Sequence, residues 1–574
     1  MPHAPDPRPA TLVELRVLDG PNLYFPRAAV KVVLDVRHLL ELPDSDFVAA
    51  TAQFGAAAAR PGRPGTDRRL RTLARALASV ARRLAGLGGA KRLAVRSRPG
   101  PEPGQLTIAF PWRQRAAATR LAVALAEVVA GRDVLEAGAS VASGDPGERP
   151  VTPRPTIPVV AVTGTNGKTT TTRLIAHMGR CAGLVVGWSN TDGIWIDGEC
   201  VEAGDWSGYG GAGRVLADRR VRLAVLETAR GGLLLRGAGA AHNDVSVVTN
   251  VSADHLGLLG IATIDELAEV KAIVPRMTKP SGWCVLNADD PRTLAMRAVS
   301  RARPFVFSPD PDSPGIRAAL SEGGQAMTVT DGCICAVSGA WDVDELVPVL
   351  DVPMSLSGLS SYNVANALAG AAAGLAVGLP REAVVAGLRT FAPDPSLNPG
   401  RLNLYDVRGV AVVLDLAHNE DSLLALLQVA EGLRLPGAQL VTVVGTAGDR
   451  PAEMIRTLGE IAARRSDHAV IAHKDKYLRG RSREEITTLL LDGLRLGGIT
   501  GAPVYPDELS GLQAGVHGAS SGDVVAFMCH ADRAECDAWL IGHGAVVMSA
   551  DAVRQRVLLA AGPGPVDRDR KITI

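Results

Sequence analysis

The chain has 574 residues, more than one hydrophobic core organises, so roughly two to four domains are expected. Hydrophobic residues make up 47% and charged residues 21%, which excludes a disordered or fibrous chain. Sixty-one basic residues stand against sixty acidic ones, so net charge singles out no class of partner.

Residues 1–12 are proline-rich and polar with no apolar core, so no signal peptide is expected. No apolar run approaches the roughly eighteen residues of a membrane span. The seven cysteines are scattered. Cys333 and Cys335 are too close in sequence for a zinc knuckle, and Cys529, His530 and Cys536 lack a second cluster. Reduced, partly buried thiols in the cytoplasm are the expectation.

Strand-like runs at residues 12–18 and 30–36 open the chain. A helix follows, with Leu70, Leu73, Leu77, Val80, Leu84 and Leu87 alternating in steps of three and four. Its other face carries Arg68, Arg69, Arg71, Arg75, Arg82 and Arg83. That stripe suits nucleic acid or an anionic polymer, or it is a solvated helix face, which is the reading taken here. Residues 143–158, with Gly144-Asp145-Pro146-Gly147 and four further prolines, read as a linker. Beyond it, valine-rich runs at 159–162, 223–226 and 245–248 alternate with helical patterns, as in a doubly wound parallel sheet. Residues 304–350 suggest a small antiparallel insertion through the runs 326–330 and 333–337. A helical stretch at 362–377 leads to a second boundary at Asn398-Pro399-Gly400. Strands at 410–414, 439–444, 468–471 and 523–528 then announce another α/β domain. The fold class is therefore α/β in three domains. Residues 1–150 form a small α+β domain, 157–397 a central P-loop doubly wound ATPase domain, and 398–574 a Rossmann-like domain.

The run Val159 to Thr163 passes directly into Gly164-Thr165-Asn166-Gly167-Lys168-Thr169-Thr170, with a helix pattern behind it. Strand, glycine turn and helix N-terminus let backbone N–H groups and the helix dipole converge on phosphate. Lys168 would reach the β and γ phosphates, and the Thr169 hydroxyl would ligate Mg²⁺. Only two residues separate the glycines, and Val162 stands where the general P-loop has its first glycine. The next strand ends in Glu227-Thr228-Ala229-Arg230-Gly231-Gly232, which makes Glu227 a candidate metal ligand. The third leads to Asn250 and Asp254-His255, a helix cap or a metal ligand. Lys271 lies in the helical pattern beyond.

These residues, with Asn363, Asn366, Gly400-Arg401 and Asp415-Leu416-Ala417-His418-Asn419, resemble the Mur ligase superfamily. They most resemble the Mur-ligase half of the cyanophycin synthetases, over residues 157–535. Thr191-Asp192-Gly193, residues 252–258, Leu286-Asn287-Ala288-Asp289-Asp290-Pro291 and Tyr477-Leu478-Arg479-Gly480-Arg481 carry that likeness. Residues 15–23 extend it, more weakly, to an N-terminal domain. Cyanophycin synthetases place an ATP-grasp domain between these parts. Here only the linker stands between them, so that activity is expected to be absent.

The resemblance implies a cytoplasmic ATP-dependent ligase. A substrate carboxylate attacks the γ-phosphate, and an amine then displaces phosphate from the acyl phosphate. It implies catalytic roles for Lys168, Glu227, His255 and Lys271. Two Mg²⁺ ions would be held through Thr169, Glu227 and His255. ATP contacts fall to residues 164–170, Asn363, Asn366, Arg401, Asp415, His418 and Asn419, the last four on domain closure. In relatives the lysine matching Lys271 is carbamylated and supports the second metal. An unmodified lysine would instead face phosphate, and both readings stand. Thr191, Asp192 and Arg230 are implied at the carboxylate substrate, and Arg479 and Arg481 at the amino acid's carboxylate, unless they form an exposed basic loop. The expected partners are ATP, a carboxylate-bearing peptide or metabolite, and an amino acid. No membrane and no nucleic acid are expected, and a homo-oligomer is left open. Addition to an acidic peptide or polyamide is the first reading. A small-metabolite ligase and a non-catalytic nucleotide-binding regulator are the alternatives.

Overall fold

The computed structural model describes residues 11–55, 61–254, 256–339 and 342–562. Residues 1–10, part of the segment read as no leader, and His255 lie outside them. The chain divides into two compact α/β units. The first comprises Met1–Gly164, Val185–Cys284 and Ala295–Arg303, and the second Thr165–Leu184, Val285–Leu294 and Pro304–Ile574. No helix among the described residues is long and apolar enough to cross a membrane.

In the first unit, β1 (Leu12–Leu18), β2 (Ala29–Asp35), β3 (Arg96–Pro99) and β4 (Gln105–Pro111) form an antiparallel sheet in the order β1-β2-β4-β3. Val30, Val32 and Leu34 alternate onto one face, as a period of two requires, where they join Ile108 and Phe110. The helix Asp67–Leu87 supplies Leu73, Leu77, Val80 and Leu84 to the same core, and Thr66 caps it through the Arg69 amide. The arginine stripe needs one correction. Arg68, Arg71, Arg75, Arg82 and Arg83 are exposed, but Arg69 is fully buried. Its guanidinium lies over the Phe47 ring at 4.1 Å and binds Asp44 at 2.7 Å together with the carbonyls of Leu42 and Gly62. A planar cation with five donors serves three separate acceptors there through its two terminal nitrogens, and its Nε is left without a partner.

The turn after β1 ties this sheet to the rest of the unit. Buried Asp19 accepts Arg115 Nη2 at 2.7 Å on one carboxylate oxygen and Arg236 Nε at 2.8 Å on the other. The amides of Asp19 and Gly20 donate to the Arg236 carbonyl, and the Ala238 amide donates to Pro21. A Cβ on Gly20 would stand 1.9 Å from the Ala238 oxygen, so this contact admits no side chain there. Residues 143–158 contain a short helix-free connection, as the prolines predict.

β5 (Val159–Thr163), β6 (Val186–Ser189), β7 (Gly193–Ile196), β8 (Glu199–Ala203), β9 (Leu223–Glu227) and β10 (Asn243–Val248) follow in the same unit. Their order is β10-β5-β9-β6-β7-β8, parallel from β10 to β6 and antiparallel beyond. β5 is buried at every position, which is why it reads as an unbroken valine run. The hairpin strands β7 and β8 are not evident in the sequence. They are short, and β8 is largely exposed and polar.

β11 (Thr278–Asn287) and β12 (Arg303–Phe307) carry the chain from the first unit into the second. There β12 pairs in parallel with β13 (Gln325–Thr330), and β14 (Cys333–Val337) and β15 (Val343–Pro348) continue antiparallel. The helix Lys168–Cys181 packs against Ser361–Ala376 and Arg381–Thr390. Glycines make the approach close: a Cβ on Gly370 would lie 2.5 Å from Leu174, and one on Gly387 2.5 Å from Met178. The C-terminal sheet contains β16 (Asn403–Val407), β17 (Val410–Asp415), β18 (Leu440–Val444), β19 (His468–Ala472), β20 (Val504–Tyr505), β21 (Val524–Met528) and β22 (Val546–Val547). Among the described residues its order is β20-β19-β18-β21-β17-β16-β22, with parallel pairing from β20 through β17. The helices Glu420–Leu433, Ala452–Arg465 and Arg483–Leu496 bury one face of it, and Glu508–His517 with Arg533–Gly542 cover the other.

Candidate functional site

At the carboxyl edge of the first unit's sheet, register gathers the predicted residues. Val162 pairs with Glu227 across β5 and β9, Val248 with Thr163 across β10 and β5, and Ser189 with Leu226 across β6 and β9. Gly164, Glu227, Asn250 and the turn 190–193 therefore stand along one edge, where ligands of such sheets bind. The edge is laced together. The Thr163 hydroxyl donates to the Thr228 carbonyl at 2.7 Å, and the Thr249 amide to the Thr163 carbonyl at 3.1 Å. Gly164 has φ +150°, and a Cβ there would meet Thr249 Oγ1 at 1.9 Å. Its carbonyl accepts from Nζ of Lys271, a buried residue. Lys271 is thus directed at the phosphate loop, not at solvent. Glu227 is buried as well. Asn190 Oδ1 accepts the Asp192 and Gly193 amides and so shapes the turn that carries Thr191 and Asp192. Arg230 opens the helix Arg230–Leu235 and donates to the Leu258 carbonyl at 3.3 Å.

In the second unit the chain enters as Thr165-Asn166-Gly167 and turns into the helix Lys168–Cys181. Gly167 makes that turn at φ +84°, and a Cβ there would lie 2.2 Å from Asn366 Oδ1. A left-handed backbone and a side chain at contact distance leave glycine as the residue that fits. Lys168 Nζ lies 2.8 Å from the Thr165 carbonyl. Asn366 Nδ2 donates to Asn363 Oδ1 at 3.2 Å, so the two asparagines share a helix face as their spacing predicts.

A cavity of about 90 Å³ opens here, walled by residues 165–170 on one side and by Asn363, Arg401, Asp415 and His418 on the other. The Arg401 guanidinium reaches Thr169 Oγ1 at 3.3 Å. Asn166 and Asn419 exchange amide hydrogen bonds at 3.4 and 3.1 Å. Arg401, Asp415 and His418, expected at the phosphate loop on domain closure, line the cavity with residues 165–170 in this structure. Asn398 is one cause that the sequence reading missed. Its Oδ1 accepts Arg173 at 3.0 Å and its Nδ2 faces Thr170 at 3.4 Å, fixing the interdomain turn to the phosphate-loop helix. Burial pushes the Asp415 carboxyl up to about 6, against the pull of Arg401 and of the Leu402 and Ala417 amides.

The basic segment 477–481 behaves unevenly. Arg479 lies over the Tyr477 ring and binds Asp449 at 2.8 Å. Arg481 is engaged by the Gly448 and Arg450 carbonyls and by Glu485, so it braces the loop after β18. A cluster that spacing does not reveal lies beside it. Lys474 and Glu508, both sealed from solvent, form an ion pair at the end of β19.

The Mur ligase middle domain matches residues 162–374, and the Mur ligase glutamate ligase domain matches residues 400–530. Cyanophycin synthetase of Synechocystis sp. is 41% identical over 338 residues, covering 59% of this chain and 38% of that protein. The chain thus spans under two fifths of the length of that relative. UDP-N-acetylmuramoyl-L-alanyl-D-glutamate–2,6-diaminopimelate ligase of Geobacter metallireducens is 31% identical over 357 residues, 60% of this chain and 65% of that one. Among solved structures, bifunctional folylpolyglutamate synthase/dihydrofolate synthase from Yersinia pestis aligns with a TM-score of 0.47. It is 20% identical, over 67% of this chain and 89% of that one.

Proposed function

The chain belongs to the Mur ligase superfamily, and on that premise we propose that it is an ATP-dependent ligase joining a carboxylate to an amine. The observation that carries the proposal is the second unit's cavity. A left-handed glycine turn, Lys168 and Thr169 line it together with Arg401, Asp415 and His418. Backbone amides at the helix N-terminus and two cations suit a triphosphate. Asp415 and Asn363 are acceptors and donors suited to the nucleoside, and Asn419 supports the site through Asn166 of the phosphate loop. Thr169 Oγ1 and the Glu227 carboxylate are hard oxygen donors of the kind Mg²⁺ takes, and both are buried. When bound, Mg²⁺ lowers the charge repulsion between a carboxylate and a triphosphate.

In this reading the substrate carboxylate attacks the γ-phosphorus and ADP leaves. The amine nitrogen then attacks the acyl carbon and inorganic phosphate departs. Lys168 steadies the phosphoryl oxygens in both steps. Lys271, through the Gly164 carbonyl, holds the phosphate loop's first residue. Thr191, Asp192 and Arg230 are assigned to the carboxylate substrate, an acidic peptide or polyamide, and the amine is an amino acid. Likeness to cyanophycin synthetase supports that choice of substrate.

An ADP-release screen crossing the twenty amino acids with oligo-aspartate and β-aspartyl peptides, followed by mass spectrometry, tests it. A product heavier by one residue is expected. Turnover only with a small metabolite would overturn the polyamide substrate, and Mg-ATP binding without ADP from any pair would overturn the ligase.

A further inference from the structure

Three strand ends of the second unit bring His418, Tyr477 and His530 together. His418 follows β17, Tyr477 follows β19 and His530 follows β21. The His530 ring centroid stands 6.5 Å from each of the other two rings, edge-on to both. His418 is also part of the nucleotide cavity's wall. His530 therefore occupies ground between that cavity and the segment bearing Arg479, at the carboxyl edge where doubly wound sheets bind ligands.

The loop carrying His530 is held from behind. The Glu508 carboxylate accepts the backbone amides of His530 at 2.6 Å, Ala531 at 2.6 Å and Asp532 at 2.8 Å. Lys474 Nζ binds the same carboxylate and the Met528 carbonyl at 2.6 Å. A Cβ on Gly445 would press within 3.0 Å of the Lys474 side chain, so the lysine is enclosed from the β18 side too. Such a fully bonded buried pair costs desolvation and adds little stability by itself. What it supplies is a fixed position for residues 529–532.

The imidazole is oriented as well. Its Nδ1 is buried, without a hydrogen bond, and 3.6 Å from Glu508 Oε1. The side chain keeps 13% of its surface exposed, and Nε2, unlike Nδ1, is not a buried atom without a partner, which makes it the nitrogen open to a ligand. Burial and the Lys474 ammonium push His530 down to about 3, with Glu508 opposing. The ring is thus neutral at working pH, and the nearby Glu508 carboxylate favours the tautomer that carries its proton on Nδ1 and a lone pair on Nε2. A neutral acceptor beside the nucleotide suits an ammonium or amine, which a second cation would repel.

We propose that His530 Nε2 accepts a hydrogen bond from the amino group of the incoming amino acid, and that Glu508 and Lys474 are positioning residues for it. The inference rests on the ligase reading for its substrate class. At so low a basicity His530 holds and aims the nitrogen and is not its general base. The amine enters as R–NH₂, the C–N bond forms as the acyl C–O bond breaks, and the displaced N–H proton leaves on phosphate.

The test reads His530 directly. Protein labelled with ¹⁵N-histidine is titrated with L-arginine and then with each other amino acid, and ring nitrogens are followed by two-bond ¹H–¹⁵N spectra. The His530→Gln variant assigns the signal. A saturable Nε2 shift with at least one amino acid, absent with its N-acetyl form, is expected, as is a spectrum showing the Nδ1–H tautomer before addition. An Nε2–H tautomer, or no shift with any amino acid, would overturn the proposal even if ADP release shows a working ligase. Binding without ADP release would instead fail the ligase reading alone. In a ligase assay, His530→Ala should raise KM for the amino acid at least tenfold with KM for ATP within twofold. His530→Gln, which keeps an acceptor, should recover much of it. Equal effects on both KM values would reduce His530 to a structural role.

Discussion

The side chains of Asn166 and Asn419, 253 positions apart, each donate an amide hydrogen to the other's oxygen, and Asn419 also caps the helix Glu420–Leu433 through the Ser422 amide. One residue thus closes a helix end and holds the phosphate loop. Asn419→Ser keeps a capping oxygen but cannot reach Asn166, while Asn419→Ala loses both. The alanine variant should cost about 1–2 kcal/mol in urea unfolding and the serine variant well under half of that. Both should weaken ATP binding in calorimetry. Equal stability losses would show that the cap is not what Asn419 contributes.

Lys168→Ala should lower ADP formation by at least about a thousandfold, the scale seen when one transition-state cation or donor is removed. Circular dichroism and the urea midpoint should stay near wild type, because Lys168 is only partly buried and bonds one carbonyl. Persistent turnover would remove the residue from the site.

Gly167→Ala should behave differently. The methyl group must be accommodated at φ +84° and 2.2 Å from Asn366 Oδ1. A left-handed alanine costs about 1–2 kcal/mol before the clash is counted. ATP affinity should fall at least about tenfold, and pairing with Asn366→Ala should return part of the loss. No recovery in the double variant would place the damage in the backbone alone.

Asp415 sets a pH dependence. Its carboxyl titrates at about 6 in the fold, against about 3.9 in an unfolded chain. Between those values the folded chain holds a proton that the unfolded chain has released. Stability from this group is therefore full below about pH 4 and is lost as pH rises through 6. Asp415→Asn removes the effect, so the variant should gain on wild type by about 2 kcal/mol between pH 4.5 and 7.5. Its ATP affinity should drop at the same time, as groups kept for function at a stability cost do. A pH-independent difference in urea midpoint would contradict the assignment.

Within the arginine helix, Arg69→Ala should destabilise by about 2–4 kcal/mol, since it strands the Leu42 and Gly62 carbonyls and opens space beside Phe47. Arg82→Ala should stay within about 0.5 kcal/mol. Limited proteolysis of the N-terminal sheet reads the contrast, and matching digestion rates would return Arg69 to the solvated face.

That contrast shows where sequence reasoning stops. Hydrophobic period locates the helix Asp67–Leu87, but polarity alone treats Arg68 and Arg69 alike. The difference comes from Asp44, Leu42 and Gly62, which only folding brings near. The phosphate loop was legible because its strand, glycines and helix are consecutive, and buried β5, β9, β10 and β21 were legible as valine runs. β7 and β8 were not, since a short hairpin with an exposed edge has little period to read. Glu508 looks like an ordinary acid in a helix's first turn, and Lys474 like a surface lysine. Their pairing spans 34 residues and carries no spacing signal. Arg481 was expected at substrate carboxylate, and its guanidinium is occupied by loop carbonyls.

The two-armed grip on Asp19, with Arg115 on one oxygen and Arg236 on the other, also changes what the proline-rich connection at 143–158 must do. Docking is carried by that carboxylate, by the close approach of Gly20 to Ala238 and by the Arg98–Glu269 pair, and the connection adds bonds of its own, Thr152 to the Asp19 carbonyl and the Ala241 amide to the Pro153 carbonyl. A tether that shares the docking with such a grip can be nicked without release. Over evolutionary time it is also a seam, where a segment of any length can be spliced in or lost while the joint on either side stays shut.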